Sequence, residues 1–392
     1  AIGMYAMQNV ETGSSNVAIG YTALAGVAGN DMDYNVAIGA QALWGNTTGD
    51  ENTAIGRNAL FDNTTGAENV AIGSSAGENN TTSGRSVFVG SYSGYQSTGD
   101  KNVYIGYDSG KESRAGVENV SIGYQAGMNQ NVGNYSVLIG SEAARNATGV
   151  DSSVIIGRQA VGAAAATGDN NVVMGYRAAY DLTSGYENVA VGYVASSDMT
   201  TGKKNTHIGS YAGTGNTSGD NNTAVGSSAL QENQDGDENT ALGYFALYNT
   251  NPSSGEGDNV GIGSTAGYTN TTGVRNVFIG RRAGYNNTTA SNNIYIGETA
   301  GYTSTEGTEN VVVGRGAFYY NTTGNYNTVM GYQALKTNVH GDSNTAIGHK
   351  ALYTYAPADD AGYSTAVGVQ ALYSATTGIN NTAVGALAGY NI

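Results

Sequence analysis

Aliphatic residues return along the chain with a fixed beat. Ile19, Ile38, Ile55 and Ile72 each stand directly before a glycine, and Val17, Val36, Thr53 and Val70 stand two places ahead of them. Two apolar positions of one parity around a third describe a short strand with one apolar face. The residue between them changes from Ala18 to Phe88, Tyr104, His207 and Gly261. The pattern therefore predicts an inward aliphatic pair and a variable residue facing the other way, toward a different environment. Three residues beyond the glycine comes alanine, at Ala23, Ala42, Ala59 and Ala76, where strict smallness calls for close packing; Leu or Gly usually follows. A second short strand is predicted here, joined to the first at the glycine, which permits the bend. A polar turn of the Asn-Thr-Thr-Gly type then closes the coil. Helix is the competing assignment for the Ala-Leu pairs. The density of Thr, Val, Ile and Gly opposes it, and no stretch between turns is long enough for a stable helix.

The glycine that ends each phrase serves as a ruler. From Gly3 to Gly385 it marks 22 intervals, of which 17 are 17 residues long. A period in this range is the signature of a solenoid, and the fold class predicted is an all-β parallel β-roll with one coil per repeat. The two intervals of 20 residues, Gly243 to Gly263 and Gly348 to Gly368, contain the only prolines, Pro252 and Pro357. Proline cannot donate to a ladder, so loops bulging off the scaffold are expected near 244–258 and 349–363. Residues 1–392 read as one continuous array that opens and stops in mid-phrase, as part of a longer polypeptide. Coils stacked at about 4.8 Å would make a rod on the order of 100 Å. Two or three buried aliphatics are a thin return for ordering a whole coil. Association of several chains over the variable face, which carries Phe88 and Phe278, would add burial.

Composition sharpens this picture by exclusion. With 60 Gly, 2 Pro and only 12% charged residues, the chain is a turn-rich repeat and not a disordered segment. Net charge is −15 and no Lys/Arg cluster exists, which argues against nucleic acid and anionic membrane surfaces as partners. Cysteine is absent, so disulfides and thiolate metal sites are excluded. No apolar run reaches the length of a membrane-spanning helix.

Several columns are candidates for function. Asn16, Asn35, Asn52 and Asn69 stand four places before the ruler glycine, where stacked amides would satisfy turn backbone. Five places after it come Tyr248, Tyr268, Tyr285, Tyr302 and Tyr319 on consecutive coils. They read either as a stacked structural ladder or as a stripe of flat sugar-binding platforms. Seven places after it stand Asn46, Asn63, Asn80, Asn216, Asn270, Asn287 and Asn321, each followed by Thr and then Thr or Ser. These fit the N-glycosylation acceptor pattern, and equally the chemistry of a tight turn. Glu51, Glu68, Glu118, Glu187, Glu238 and Glu309 precede the asparagine column. One carboxylate per coil reads as a solvated edge and not as a calcium site, which needs converging oxygens. His207, His340 and His349 have no recurring Ser or carboxylate partner. No nucleophile elbow, phosphate loop or zinc-protease motif occurs, so neither catalysis nor a cofactor is expected.

The phrase Asn-x-Ala-Ile-Gly-x-x-Ala resembles the head repeat of trimeric autotransporter adhesins of the YadA kind. With Asn344-Thr345-Ala346-Ile347-Gly348 and Gly331-Tyr332-Gln333-Ala334-Leu335, it also resembles the repeats of phage and prophage tail fibres. The resemblance covers essentially the whole chain, although adhesin heads use a shorter coil. It implies a left-handed parallel β-roll, three chains side by side, used as an extracellular shaft or binding head. The expected function is a structural extracellular fibre, most closely a homotrimeric phage or phage-like tail fibre used for attachment to a host-surface glycan or receptor. The alternatives are a bacterial surface adhesin or glycosylated filament, self-associating and open to end-to-end polymerisation, and a carbohydrate-binding repeat protein. Ice binding is disfavoured because the Thr pair is lost at Gln234-Asp235 and Asn338-Val339.

Overall fold

The computed structural model of the chain describes residues 1–26, 30–163, 165–252, 255–358 and 361–392. It is an all-β parallel solenoid of about 21 turns with ~17 residues per coil, and no helix occurs among the described residues. Two compact units, Ala1–Val191 and Gly192–Ile392, are built from the same coil.

Each full coil contributes one three-residue strand, from Val17–Ile19 to Val189–Val191 in the first unit and from Thr206–Ile208 to Thr382–Val384 in the second. Neighbouring strands pair in parallel with like over like, as in Thr53↔Val70, Ala54↔Ala71 and Ile55↔Ile72. A separate short pair, Val10–Thr12 with Asn30–Asp31, lies outside this ladder. The strand ends at the ruler glycine for two reasons visible at Gly56. Its φ is +134°, and a Cβ there would lie 2.3 Å from the carbonyl oxygen of Gly73 in the next coil. Only glycine meets both demands.

The second strand predicted after the glycine does not form. In its place the backbone alternates handedness, with Asn58 at φ 58° and Leu60 at φ 51°. The alternation sends successive amides to different coils. Asn58 N–H donates back to Ala40 O at 3.0 Å, Leu60 N–H donates forward to Ala76 O at 3.0 Å, and Ala59 N–H closes a turn onto Gly56 O at 3.4 Å. A pleated strand would satisfy the same groups, but it would not turn the chain within so few residues.

The inward and outward faces of the strand are the reverse of those predicted. The variable middle residue is the core: Ala18, Ala54, Phe88, Tyr104, His207 and Phe278 are all buried. The constant aliphatics flank it on the outside, and Val17 and Ile72 are 44% and 39% exposed. Ile19, Ile38, Ile55 and Ile72 still form a ladder, pair by pair down the sheet, but it is a surface one. Ala23, Ala42, Ala59 and Ala76 lie fully buried.

Variation inside is permitted because it is compensated. Where the middle residue is Phe88, Tyr104, Phe278 or Tyr295, the residue four after the ruler glycine is Gly; beside Ala18, Ala54, Ala241 and Ala346 it is Leu, while Ala71 and Gly261, each one coil before a phenylalanine, have Gly77 and Gly267 at that place. Cβ atoms placed on Gly94 and Gly284 would lie 2.3 Å from the Phe88 and Phe278 rings, and one on Gly261 would lie 2.6 Å from Leu247 Cγ. Tyrosine adds a third partner. Tyr104 Oη and Tyr295 Oη meet Ser113 Oγ at 2.7 Å and Ser304 Oγ at 2.8 Å, where other coils place asparagine. The lumen thus keeps its volume while its occupants change.

The prolines also depart from the loop reading. Pro252 and Pro357 are buried, and each ring lies on the turn glycine of the coil below. A Cβ on Gly236 would meet Pro252 Cδ at 2.7 Å, and one on Gly341 would meet Pro357 Cγ at 2.6 Å. Residues 253–254 and 359–360 of the expected loops lie outside the described residues.

The acidic row carries a conformational cost. Glu51, Glu68, Glu118, Glu187, Glu238 and Glu309 are exposed and all left-handed, at φ between 56° and 61°. Asn relieves part of the 1–2 kcal/mol that this region costs other L-residues. Glu51→Asn should therefore raise stability by about 0.5–1 kcal/mol. Thermal unfolding beside Glu51→Ala, which keeps the clash, checks this; an equal gain from both would refute it.

Candidate functional surface

Two asparagine columns stitch the coils together. Asn52 Nδ2 donates to Gly66 O of the next coil at 2.8 Å, and Asn52 Oδ1 accepts the backbone N–H of Asn69 at 3.0 Å. Asn35 and Asn69 make the same pair of contacts. Asn16, half-buried at the start of the column, donates to Met32 O at 2.7 Å. The amides seven places after the glycine are a second column. Asn63 Nδ2 reaches the same Gly66 O at 3.0 Å, which fills the second lone pair of that carbonyl.

This placement bears on the glycosylation candidates. Asn46, Asn63, Asn80, Asn216, Asn270, Asn287 and Asn321 are all completely buried. Asn46, Asn216, Asn270, Asn287 and Asn321 donate Nδ2 to the carbonyl three residues on, at 2.7 to 3.3 Å. A nitrogen so enclosed leaves no room for a sugar in this fold. The Asn-Thr-Thr spelling serves the turn. Its threonines work along the stack as well: Thr47 Oγ1 donates to Thr64 O, and Thr64 Oγ1 donates to Thr81 O, both at 2.9 Å.

A further ladder escaped the sequence reading. Aspartate or asparagine two residues before the asparagine column accepts the backbone N–H of its counterpart in the preceding coil. Asp33 N donates to Asp50 Oδ1 at 2.7 Å, Asn134 N to Asp151 Oδ1 at 2.6 Å, and Asn325 N to Asp342 Oδ1 at 2.7 Å. Its signal is the Gly-Asp pair, as in Gly49-Asp50 and Gly99-Asp100.

The tyrosine column is a continuous stack. Tyr248, Tyr268, Tyr285, Tyr302 and Tyr319 follow one another at 4.9 to 5.3 Å between centroids, within 11° of parallel. Each inner ring therefore has its faces covered by its neighbours and presents only an edge. The open flat platforms of a sugar-binding stripe are absent from this run. Lys336 takes the next place, with Nζ 5.5 Å from the ring centre of Tyr353, and stacking resumes through Tyr353, Tyr373 and Tyr390.

The three histidines have different partners. His207 occupies the core, with Nδ1 2.7 Å from Ser196 Oγ and Nε2 buried without a hydrogen-bond partner. Burial lowers its pKa to about 4, so the ring is neutral. His340 Nδ1 lies 2.8 Å from Thr323 Oγ1, and His349 stacks on Tyr332. Among the described residues no group of three His, Asp or Glu converges as a metal site would require, and no helix is long and apolar enough to cross a membrane.

An apolar feature runs along the outer face of the sheet. Two columns, one on each side of the buried middle residue, run down each unit. In the second unit they include Thr240 and Leu242, Val260 and Ile262, Ile294 and Ile296, and Val311 and Val313, with Leu242, Ile262, Ile294 and Val311 among the exposed large hydrophobics. Compared with known proteins, the chain matches no family model and no curated protein.

Proposed function

We propose that this chain is the repeat shaft of an extracellular structural fibre, of the phage or phage-like tail-fibre kind, in which three copies associate through the outer faces of their sheets. The observation that carries this reading is the double aliphatic column. Soluble monomers rarely expose apolar patches beyond a few hundred Å², and here the same two positions stay aliphatic or Thr coil after coil while facing outward. Nothing inside the chain needs that constancy, because the middle residue fills the lumen. A second and third copy of the same surface would use it, since an in-register array presents one repeating pattern to its own symmetry mates. The resemblance to tail-fibre and adhesin repeats supports the same arrangement and supplies the role, attachment at a host surface.

Light scattering on the full chain tests the proposal. The expected mass is three times the 40.0 kDa of one chain. Replacing Ile279, Ile296 and Val313 together by lysine should return the mass to that of a monomer while the far-ultraviolet spectrum keeps its β signature. A monodisperse monomer of the unaltered chain would overturn the reading.

A further inference from the structure

We propose that the second unit carries a binding site for an anionic saccharide in a notch opened by Gly316. In the neighbouring coils the position two after the ruler glycine bears a side chain: Arg282, Thr299, Gln333 and Lys350. All four are left-handed, at φ between 52° and 58°, and Gly316 has the same conformation at 62°. The backbone therefore does not require glycine here. A Cβ at Gly316 would meet nothing closer than Gln333 Cγ at 3.5 Å and Thr299 Oγ1 at 3.9 Å, unlike the nearby ruler glycine Gly314, pressed by the backbone of Gly331, and the lumen glycines Gly284 and Gly301, pressed by the rings of Phe278 and Tyr295. What the glycine provides is space: a cavity of about 310 Å³ bounded by Arg315, Tyr319, Tyr320, Tyr332 and Lys336. That volume lies at the small end of ligand pockets, the size of a mono- or disaccharide.

The lining gives the chemistry. Tyrosine hydroxyls, Thr299 and Gln333 offer hydrogen bonds of both senses, as a polyol requires. Arg315 and Lys336 set two cations at the rim of a chain whose net charge is −15. The one carboxylate among them, Glu298, is already hydrogen-bonded to Arg281, whose guanidinium holds it below its usual range. Arg315 is held in place by Tyr332, with Nη2 3.2 Å from the hydroxyl and the guanidinium 5.0 Å from the ring centre. Lys336, standing where the tyrosine column breaks, has Nζ 3.5 Å from Tyr353 Oη. Two fixed cations beside a polar notch select a sugar that bears a carboxylate.

The site rests on the notch and not on the assembly of chains, so its failure and that of the fibre reading are separable. Titration calorimetry of the full chain with a galacturonic acid tetramer tests it, with the methyl-esterified tetramer as the uncharged counterpart. The acid form should bind at least tenfold more tightly than the ester. Gly316→Gln, which copies the residue at the same place one coil on, should weaken binding of the acid at least tenfold. Arg315→Gln, which makes no demand on the backbone, should bring the acid down to the ester. No binding of the acid, equal binding of both tetramers, or full affinity in Gly316→Gln would each overturn the proposal, whatever mass light scattering records.

Discussion

Phe278→Ala should destabilise the second unit by about 3–5 kcal/mol, the range for emptying a buried phenylalanine site, and adding Gly267→Leu should recover most of that loss. The expectation comes from the exchange of volume across the lumen. Phe278 is fully buried, and its ring fills the space that a side chain on Gly284 or Gly267 would need. Gly267→Leu by itself forces a leucine into the ring and should cost about 1–3 kcal/mol as overpacking. Together the two changes reproduce the pairing found elsewhere, as of Leu43 with Ala54 or Leu335 with Ala346 in the following coil, all fully buried. Leu60 and Leu352 also tolerate the left-handed backbone of that position, at φ 51° and 50°. Urea unfolding of the four members of the cycle gives the coupling directly. Losses that simply add would mean that the two sites do not share one cavity.

Acid should weaken the second unit through His207. The folded-state pKa, lowered to about 4 by burial, lies below the unfolded value near 6.5. As pH falls, the unfolded chain takes up the proton first. The stability tied to the neutral ring is thus complete above pH 6.5 and drains away between 6.5 and 4. The full difference corresponds to about 3 kcal/mol. Asp237 acts in the opposite sense: burial raises its carboxyl, which favours the folded state as pH drops. The measurement is therefore a comparison. Unfolding of the chain and of His207→Phe, at pH 7.5 and pH 4.5, should show a loss on acidification that is at least tenfold smaller in equilibrium constant for the variant. Phenylalanine already occupies the corresponding place at Phe88 and Phe278. An identical pH response in both proteins would remove the histidine from the account.

What could be read in the sequence, and what could not, follows from the kind of constraint each position obeys. The coil length, the parallel register and the position of the stacked amides were legible because each is imposed on a residue singly. The carbonyl of a turn needs a donor, and Asn69 or Asn52 supplies it in every context. The faces of the strand were misread because the lumen constrains a pair. Ala54 and Phe88 look unalike only until they are set beside Leu60 and Gly94, four residues past the same glycine. Constancy at Ile55 and Ile72 suggests an interior, whereas these residues line the outside. The absent second strand had a different cause. Left-handed Gln41, Leu43 and Leu60 are neither glycine nor asparagine, so nothing in their chemistry announces the turn; the stack imposes it. The same holds for the sequons, where the local spelling is right for modification and the burial of Asn63 is a property of the neighbouring coils.

Because rings such as Phe88 and Phe278 are accommodated by glycines of their own coil and the one before, a pair of neighbouring repeats carries with it most of what seats the ring. Phe88 over Gly77 and Gly94 is such a self-contained fit. Unequal recombination between near-identical stretches of the gene can then insert or excise whole turns without disturbing the packing farther along. The number of turns becomes a quantity that selection can set by counting.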